Sequence, residues 1–317
     1  MTPCGEHTRV DLLPRVSAGV LMAVLCLTTL PAFGAEQPPA AELRKAPLVV
    51  VTSSSILNAV NRTDAIAAAK IWMGLIGQRR GFDLDIRVHV SESLDDVKSR
   101  VQDGSSNLVV LDSIEYLNLA ALGILDPVAT AVRGKSVRSS YCLVVNRDSG
   151  LNSVDDLGGK RISVFAVSNA HIAKIWLEVL LNERNLGRVD GFFGSFSEVY
   201  KPSAACLPVF FGKLDACVID ENTLAMMSEM NPQMGTKLRV IRKSPPITEG
   251  VLSINARAKS PYREQLVQGM LEAEKDTQGR QILTILKADR FLEFQSQVLD
   301  GVRELWTKYQ RFAGPGA

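Results

Sequence analysis

The residues of this chain best suited to chemistry stand in turns that follow short apolar runs. In residues 161–181, RISVFAVSNAHIAKIWLEVLL, a strand-like run gives way to Ser168, Asn169 and His171 and then to a long apolar helical pattern. A helix start at that point offers unpaired N–H groups and the positive end of the helix dipole to an anion. Ser168 and Asn169 are residue types that either cap such a helix or touch a bound ligand, and His171 sits in its first turn. Comparable turns end other runs: Ser53 and Ser54 close PLVVVTSSS, Tyr116 follows SNLVVLD, Lys201 precedes Pro202, and Asp220 ends DACVID. Hydroxyls, amides and a few charges suit the gripping of a small polar ligand, and Asp220 is either an acceptor for an amine or a loop cap.

Groupings that would catalyse a reaction are missing. The sequence contains no G-x-S-x-G, H-E-x-x-H, G-x-x-x-x-G-K-[ST] or C-x-x-C run. Its three histidines, His7, His89 and His171, are far apart, so a histidine metal cluster is not expected. Asp220 and Glu221 are adjacent, and neighbours on a strand face opposite sides, which makes a poor acid/base pair. Gly158 and Gly159 precede a strand with no helix directly after, unlike a phosphate-binding loop. No enzymatic activity, metal or cofactor is expected.

The 317 residues are 22% charged and 46% hydrophobic with a formal net charge of +2. That length holds one large or two medium domains, and the near-neutral balance gives no reason to expect nucleic acid or an anionic membrane as partner. Val16 to Leu30 is a fifteen-residue stretch without a charge, flanked by Arg15 and by PAFGAEQPPAAE. It is too short for a spanning helix and has the form of a secretory signal over residues 1–34, cleaved after Gly34 or Ala35. Three cysteines then remain, Cys142, Cys206 and Cys217. An odd number is no complete disulfide framework, although Cys206 and Cys217 could pair in an oxidising compartment.

The elements that must position these turns alternate. PLVVVTSSS reads as a buried strand, TDAIAAAKIWMGLIGQRRG as a helix capped by Thr63 or Asp64 and ended by Gly81, DIRVHV as a strand, SLDDVKSRVQDG as a helix and SNLVVLD as a strand. A second series follows: a strand from SSYCLVVN, a strand at 161–165, a helix at 170–183, a strand near 191–196, a helix near 203–211 and the strand DACVID. KLRVIRKS and SPPITEGVLSIN return the chain, and three helical segments finish it between Pro261 and Phe312. Apolar strands alternating with helices indicate α/β lobes, each a doubly wound, mostly parallel sheet with flanking helices. The expected division is 47–138 plus 250–317 for one lobe and 139–249 for the other, with hinges at Ser139–Cys142 and Pro246–Gly250 and the C-terminal tail packed on the first lobe. Ligands in such sheets bind beyond the carboxyl ends of the strands.

SYCLVVNRDSGLNSVDDLGGKRISV, followed by FFGSF and FFGKLDACVID, SPPITEGVLSINAR and QGRQILTILKADRF, resembles the phosphate/phosphite/phosphonate periplasmic binding proteins of ABC transporters over roughly 47–300. The resemblance implies a type II, two-lobed receptor, monomeric and periplasmic, that closes on a small ligand and delivers it to a membrane permease. It also implies that Tyr116 and Asp220 stand where the family has a pocket tyrosine and aspartate. The family's Ser/Thr-rich oxyanion cradle is here Val167-Ser168-Asn169-Ala170-His171, and its Ser-His pair is Lys201-Pro202, where Lys201 either supplies positive charge or is simply solvated. Most of Phe192, Phe193, Phe196, Phe210 and Phe211 are expected in the core. Phe196 with one other on the cleft would favour a more apolar, non-phosphorus ligand, and a ligand-sensing partner of a membrane receptor is a further reading.

Overall fold

The computed structural model describes residues 42–57, 60–134, 136–166 and 170–313. The expected signal segment at 1–34, together with Ser168 and Asn169, lies outside the described residues.

The chain opens with β1 (Arg44–Ser53), α1 (Arg62–Arg79), β2 (Phe82–Ser91), α2 (Leu94–Gln102), β3 (Leu108–Asp112), α3 (Ser113–Ala120) and β4 (Leu125–Val132). It then builds β5 (Tyr141–Asn146), β6 (Arg161–Phe165), α4 (Ala170–Glu183), α5 (Val189–Phe192), β7 (Ser195–Val199), α6 (Pro202–Phe210), β8 (Ala216–Asp220), α7 (Glu221–Met230), α8 (Pro232–Lys237) and β9 (Leu238–Lys243). It finishes with β10 (Gly250–Asn255), α9 (Arg263–Leu271), α10 (Thr277–Ile285), β11 (Arg290–Glu293) and α11 (Asp300–Ala313). Two mixed sheets result, ordered β11-β4-β10-β3-β1-β2 and β7-β6-β8-β5-β9. Strands β1, β2 and β3 run parallel, as do β6, β7 and β8, and the strands bordering each trio run antiparallel to it.

Continuous apolar strands belong in these positions because both faces of each sheet are covered. On one face of the first sheet, Leu48, Val50 and Leu108 pack under Trp72 and Met73 of α1 and Met270 of α9. Trp72 also stacks on Phe291 with ring centroids 5.8 Å apart. The opposite face carries Val51, Val97, Val101, Val109 and Tyr116. In the second sheet, Leu143, Ile162 and Val218 meet α4, while Val144, Cys206, Cys217 and Ile219 form the other side. Cys142, Cys206 and Cys217 are buried free thiols, with 4.0 Å between the Cys206 and Cys217 sulfurs.

The structure corrects several sequence expectations. Asn61 caps α1, not Thr63 or Asp64, because its side-chain oxygen accepts from both of their amides at 3.0 and 3.2 Å. Residues 189–192 form the short α5 before β7. Strands β4 and β11 pair with each other and were not anticipated, since LDPVATAV contains a proline and RFLE is only four residues long. The tail does not pack on the first lobe alone. Val302 and Leu305 of α11 join the apolar cluster of α4, and Lys308 reaches Glu183 of α4 at 3.0 Å.

Two chain segments connect the sheets, Arg133–Ser140 and Ser244–Glu249. They pair where the backbones of Ser139 and Ile247 exchange two hydrogen bonds of 2.9 Å. The second segment is anchored to the C-terminal part of the chain by the Thr248 hydroxyl, which donates to the Val298 carbonyl at 2.8 Å. Gly301 lies so near that a Cβ there would stand 2.1 Å from the Pro246 carbonyl oxygen, so only glycine fits.

Candidate functional site

The carboxyl ends of β1 and β3 meet at the cleft between the sheets. β3 ends in Asp112, whose carboxylate caps α3 by accepting from the amides of Ile114 and Glu115 at 2.8 and 2.9 Å. Glu115 folds back to receive the Asp112 amide at 3.1 Å, which completes a capping box from the local sequence D-S-I-E. Two hydroxyls from the end of β1 lie between these carboxylates. The Ser53 hydroxyl donates to Glu115 Oε2 at 2.5 Å, and Ser55 lies 3.0 Å from Asp112 Oδ2 and 3.2 Å from Glu115 Oε2. Ser53 and Ser55 are themselves 2.7 Å apart.

A hydroxyl has one hydrogen to give. With both carboxylates ionised, Ser53 and Ser55 each spend theirs on a carboxylate, and the contact between them has none. A proton held on Glu115 supplies the missing hydrogen. The electrostatics agree: burial and the adjacent Asp112 carboxylate push the Glu115 carboxyl up to about 7, and burial raises Asp112 as well.

The second sheet contributes His171, in the first turn of α4, whose Nε2 stands 3.5 Å from Asp112 Oδ2. The side chain stays 43% exposed, yet desolvation by the surrounding protein lowers the imidazole pKa, while the nearby Glu115 and Glu198 carboxylates pull the other way. On another side of the cleft, the amide of Asn222 in α7 donates to the Arg133 carbonyl at 3.2 Å. The Arg133 guanidinium pairs with Glu249, and these residues begin and end the two connecting segments. Tyr141 lies beneath, stacked on Trp176, with its phenol pKa raised by burial and by Glu249, Asp220 and Asp112.

Beside this floor opens a cavity of about 760 Å3. Arg133, Glu249, Asp220, Asn222 and Thr223 border its polar end, and Tyr200, Pro202 and Phe165 come from the second sheet. The remainder runs along the α1 face of the first sheet, past Thr52, Ala65, Ala69, Trp72, Leu252 and Met270. Its volume falls within the range of small-molecule sites, roughly 300–1,000 Å3.

Of the sequence-derived candidates, Ser53 and His171 converge on Asp112 and Glu115, while Asp220 lines the cavity and also caps α7 by accepting from the Thr223 amide at 2.9 Å. Ser54 follows Ser53 in the turn after β1 and acts on Glu92, whose pKa its hydroxyl lowers together with Arg62. Lys201 is exposed at the start of α6, between the cavity-lining Tyr200 and Pro202. Tyr116 is not on the cleft. It is 7% exposed and packs against Phe294, since one helical step beyond the folded-back Glu115 turns its ring into the core. Phe196 packs on the α4 cluster, and the cavity's aromatic lining comes from Phe165, Tyr200, Trp72 and Phe291 instead. The sequence reading missed Glu115, Arg133 and Glu249 as site residues. D-S-I-E was a readable signal for the first, but Arg133 and Glu249 are 116 residues apart and only the β4–β10 pairing joins them.

Two α/β lobes joined by a paired double crossover, with polar groups from both converging on the space between, define the type II periplasmic binding-protein fold. A family model for periplasmic substrate-binding proteins of ABC phosphonate transporters matches residues 57–299, and the chain belongs to that family. The fold is similar to that of XAC2383 from Xanthomonas citri, solved bound to ATP, at 15% identity and a TM-score of 0.58 over 84% of this chain and 97% of that one. It is also similar to the binding-protein component of an ABC phosphonate transporter from Pseudomonas aeruginosa, at 13% identity and a TM-score of 0.57 over 84% and 87%. PhnD1 from Prochlorococcus marinus, solved with methylphosphonate, gives 16% identity and a TM-score of 0.55 over 84% and 99%. Among the described residues, no helix is long and apolar enough to cross a membrane.

Proposed function

We propose that this chain, exported by the signal at 1–34 and acting as a monomer in the periplasm, captures a phosphonate-class ligand in the interlobe cleft and presents it to a membrane permease. The methylphosphonate held by the Prochlorococcus protein motivates the ligand class. The observation that carries the reading is the cavity bordered by groups of both lobes and backed by the paired connecting segments. Lobe rotation about Ser139 and Ile247 would shift the population toward a closed state once ligand bridges the two sides. Asp220, His171, Ser53 and Lys201 are the described candidates to meet the ligand; Ser168 and Asn169, candidates from the sequence, lie outside the described residues. A protonated Glu115 donates a hydrogen bond, so at neutral pH the wall holding Asp112 and Glu115 is less repulsive to an oxyanion than two ionised carboxylates would be.

A thermal-shift panel of phosphate, phosphite, methylphosphonate, 2-aminoethylphosphonate and non-phosphorus organic compounds tests this. A ligand at 100 times its Kd adds about 2.7 kcal/mol, which raises the Tm by several degrees. A rise with a phosphorus oxyanion supports the reading. A rise only with compounds of another class refutes it and leaves the second reading, a more apolar organic ligand, which the predominantly apolar cavity lining favours.

A further inference from the structure

The cavity extends well beyond what a small oxyanion needs. Protein interiors pack as densely as organic crystals and leave few voids larger than a water molecule. Here the space enters the core beneath α1 and reaches Trp72, Leu108 and Met270, each at most 5% exposed. The sequence of α1 explains the opening. Its first two turns line the space with Ala65, Ile66 and Ala69, two of them small, whereas the next turns bring Trp72 and Met73, which form its inner wall, and the buried Ile76. At about 760 Å3 the cavity, including its polar mouth, is some five times the ~150 Å3 that accepts a benzene-sized guest.

A second observation lies across the cleft. Tyr200 and Met226 of the second lobe border the same cavity, yet are 64% and 50% exposed. Large apolar side chains held in water at the mouth of an apolar cavity are placed to be covered when the cavity is filled.

We propose that the ligand of this protein is an amphiphile whose apolar chain or ring system occupies the α1 cavity of the first lobe, with its polar head at Arg133, Glu249, Asp220 and Thr223. The inference rests on the cleft being the ligand site and adds to that reading the class of the ligand's tail. Tyr200 and Met226 close over the tail, and Ala65 and Ala69 set the room available to it.

Calorimetric titration of the purified protein with methyl-, butyl- and octylphosphonate, all below their aggregation thresholds, tests the tail. A thermal-shift measurement with 1-octanol adds a probe that carries no phosphorus. Each buried methylene should tighten binding about fourfold, so octylphosphonate should bind roughly 250-fold tighter than butylphosphonate. Ala69→Phe fills the cavity from α1, and Ala65→Leu does so with a smaller group should the first variant fold poorly. Either substitution should flatten the dependence on chain length and remove the 1-octanol shift. Chain-length dependence in the wild type that a filling variant abolishes supports the inference. Should no phosphonate bind while 1-octanol stabilises the wild type and not the variant, the cavity assignment stands and the phosphorus ligand class falls. The inference is overturned if phosphonates bind without regard to chain length, if the dependence survives in both variants, or if neither phosphonates nor 1-octanol bind. In the first of these results the cleft reading survives.

Discussion

Replacing Glu115 by Gln should change how the stability of this protein responds to pH. The Glu115 carboxyl is held at about 7, against an ordinary value of 4.5, by burial and by the Asp112 carboxylate. A carboxyl whose pKa is raised on folding binds more proton in the native state than in the unfolded chain. Stability therefore falls as pH rises from about 4.5 to about 7. At ~1.36 kcal/mol per unit the full penalty is roughly 3 kcal/mol, most of it incurred between pH 5 and pH 8. Glutamine is nearly isosteric and keeps an oxygen for the Asp112 amide, so the capping box survives while the titration disappears. His171 acts with the opposite sign: its lowered pKa means that stability is lost as pH falls below the ordinary imidazole value, and loss of the Glu115 charge, which raises that pKa, deepens the effect in the variant and adds to the same trend. The difference between the two proteins therefore reports the Glu115 carboxyl together with its coupling to His171 and Asp112. Thermal melts followed by circular dichroism at pH 5 and pH 8 should show the Tm of Glu115→Gln, relative to wild type, rising by roughly 3–6 °C across that interval. A difference that is the same at both pH values, or that shrinks toward pH 8, would refute the proton assignment and the hydrogen-bond count behind it.

Three other substitutions probe the site and the crossover. Tyr116→Phe should leave ligand affinity unchanged in a calorimetric titration, because the ring packs on Phe294, while Tyr116→Ala should cost about 3–5 kcal/mol in urea unfolding. Asp220→Asn keeps a side-chain oxygen for the Thr223 amide and should hold stability, whereas Asp220→Ala should lose about 1 kcal/mol of cap. Both should weaken ligand binding, and wild-type affinity in the Asn variant would reduce Asp220 to a cap. Gly301→Ala places a methyl against the Pro246 carbonyl and should destabilise by about 1–3 kcal/mol, read as a lower urea midpoint at unchanged slope.

The alternation of apolar strands and helices was legible residue by residue, because strands buried on both faces must be apolar throughout and helices must carry a 3.6-residue stripe. The strand ends that carry Ser53, Asp112 and Asp220, and the α/β class, follow from that pattern. The capping signal at Asp112 and Glu115 is equally local, made by residues within one turn, although the sequence reading did not use it. Strands β4 and β11 were hidden because a proline and a four-residue length erase the local signature, and pairing with each other and with β10 defines them. Which side chains face the cleft was not legible either. Tyr116 and Glu115 are sequence neighbours with opposite fates, because Glu115 returns to its cap and Tyr116 turns into the core. The bridging role of α11 depends on its amphipathic face finding α4, a partner more than a hundred residues away. The cavity itself belongs wholly to the tertiary structure. Ala65 and Ala69 look like ordinary helix formers, and only the placement of Leu108, Leu252 and Met270 opposite them leaves space where a core would otherwise close.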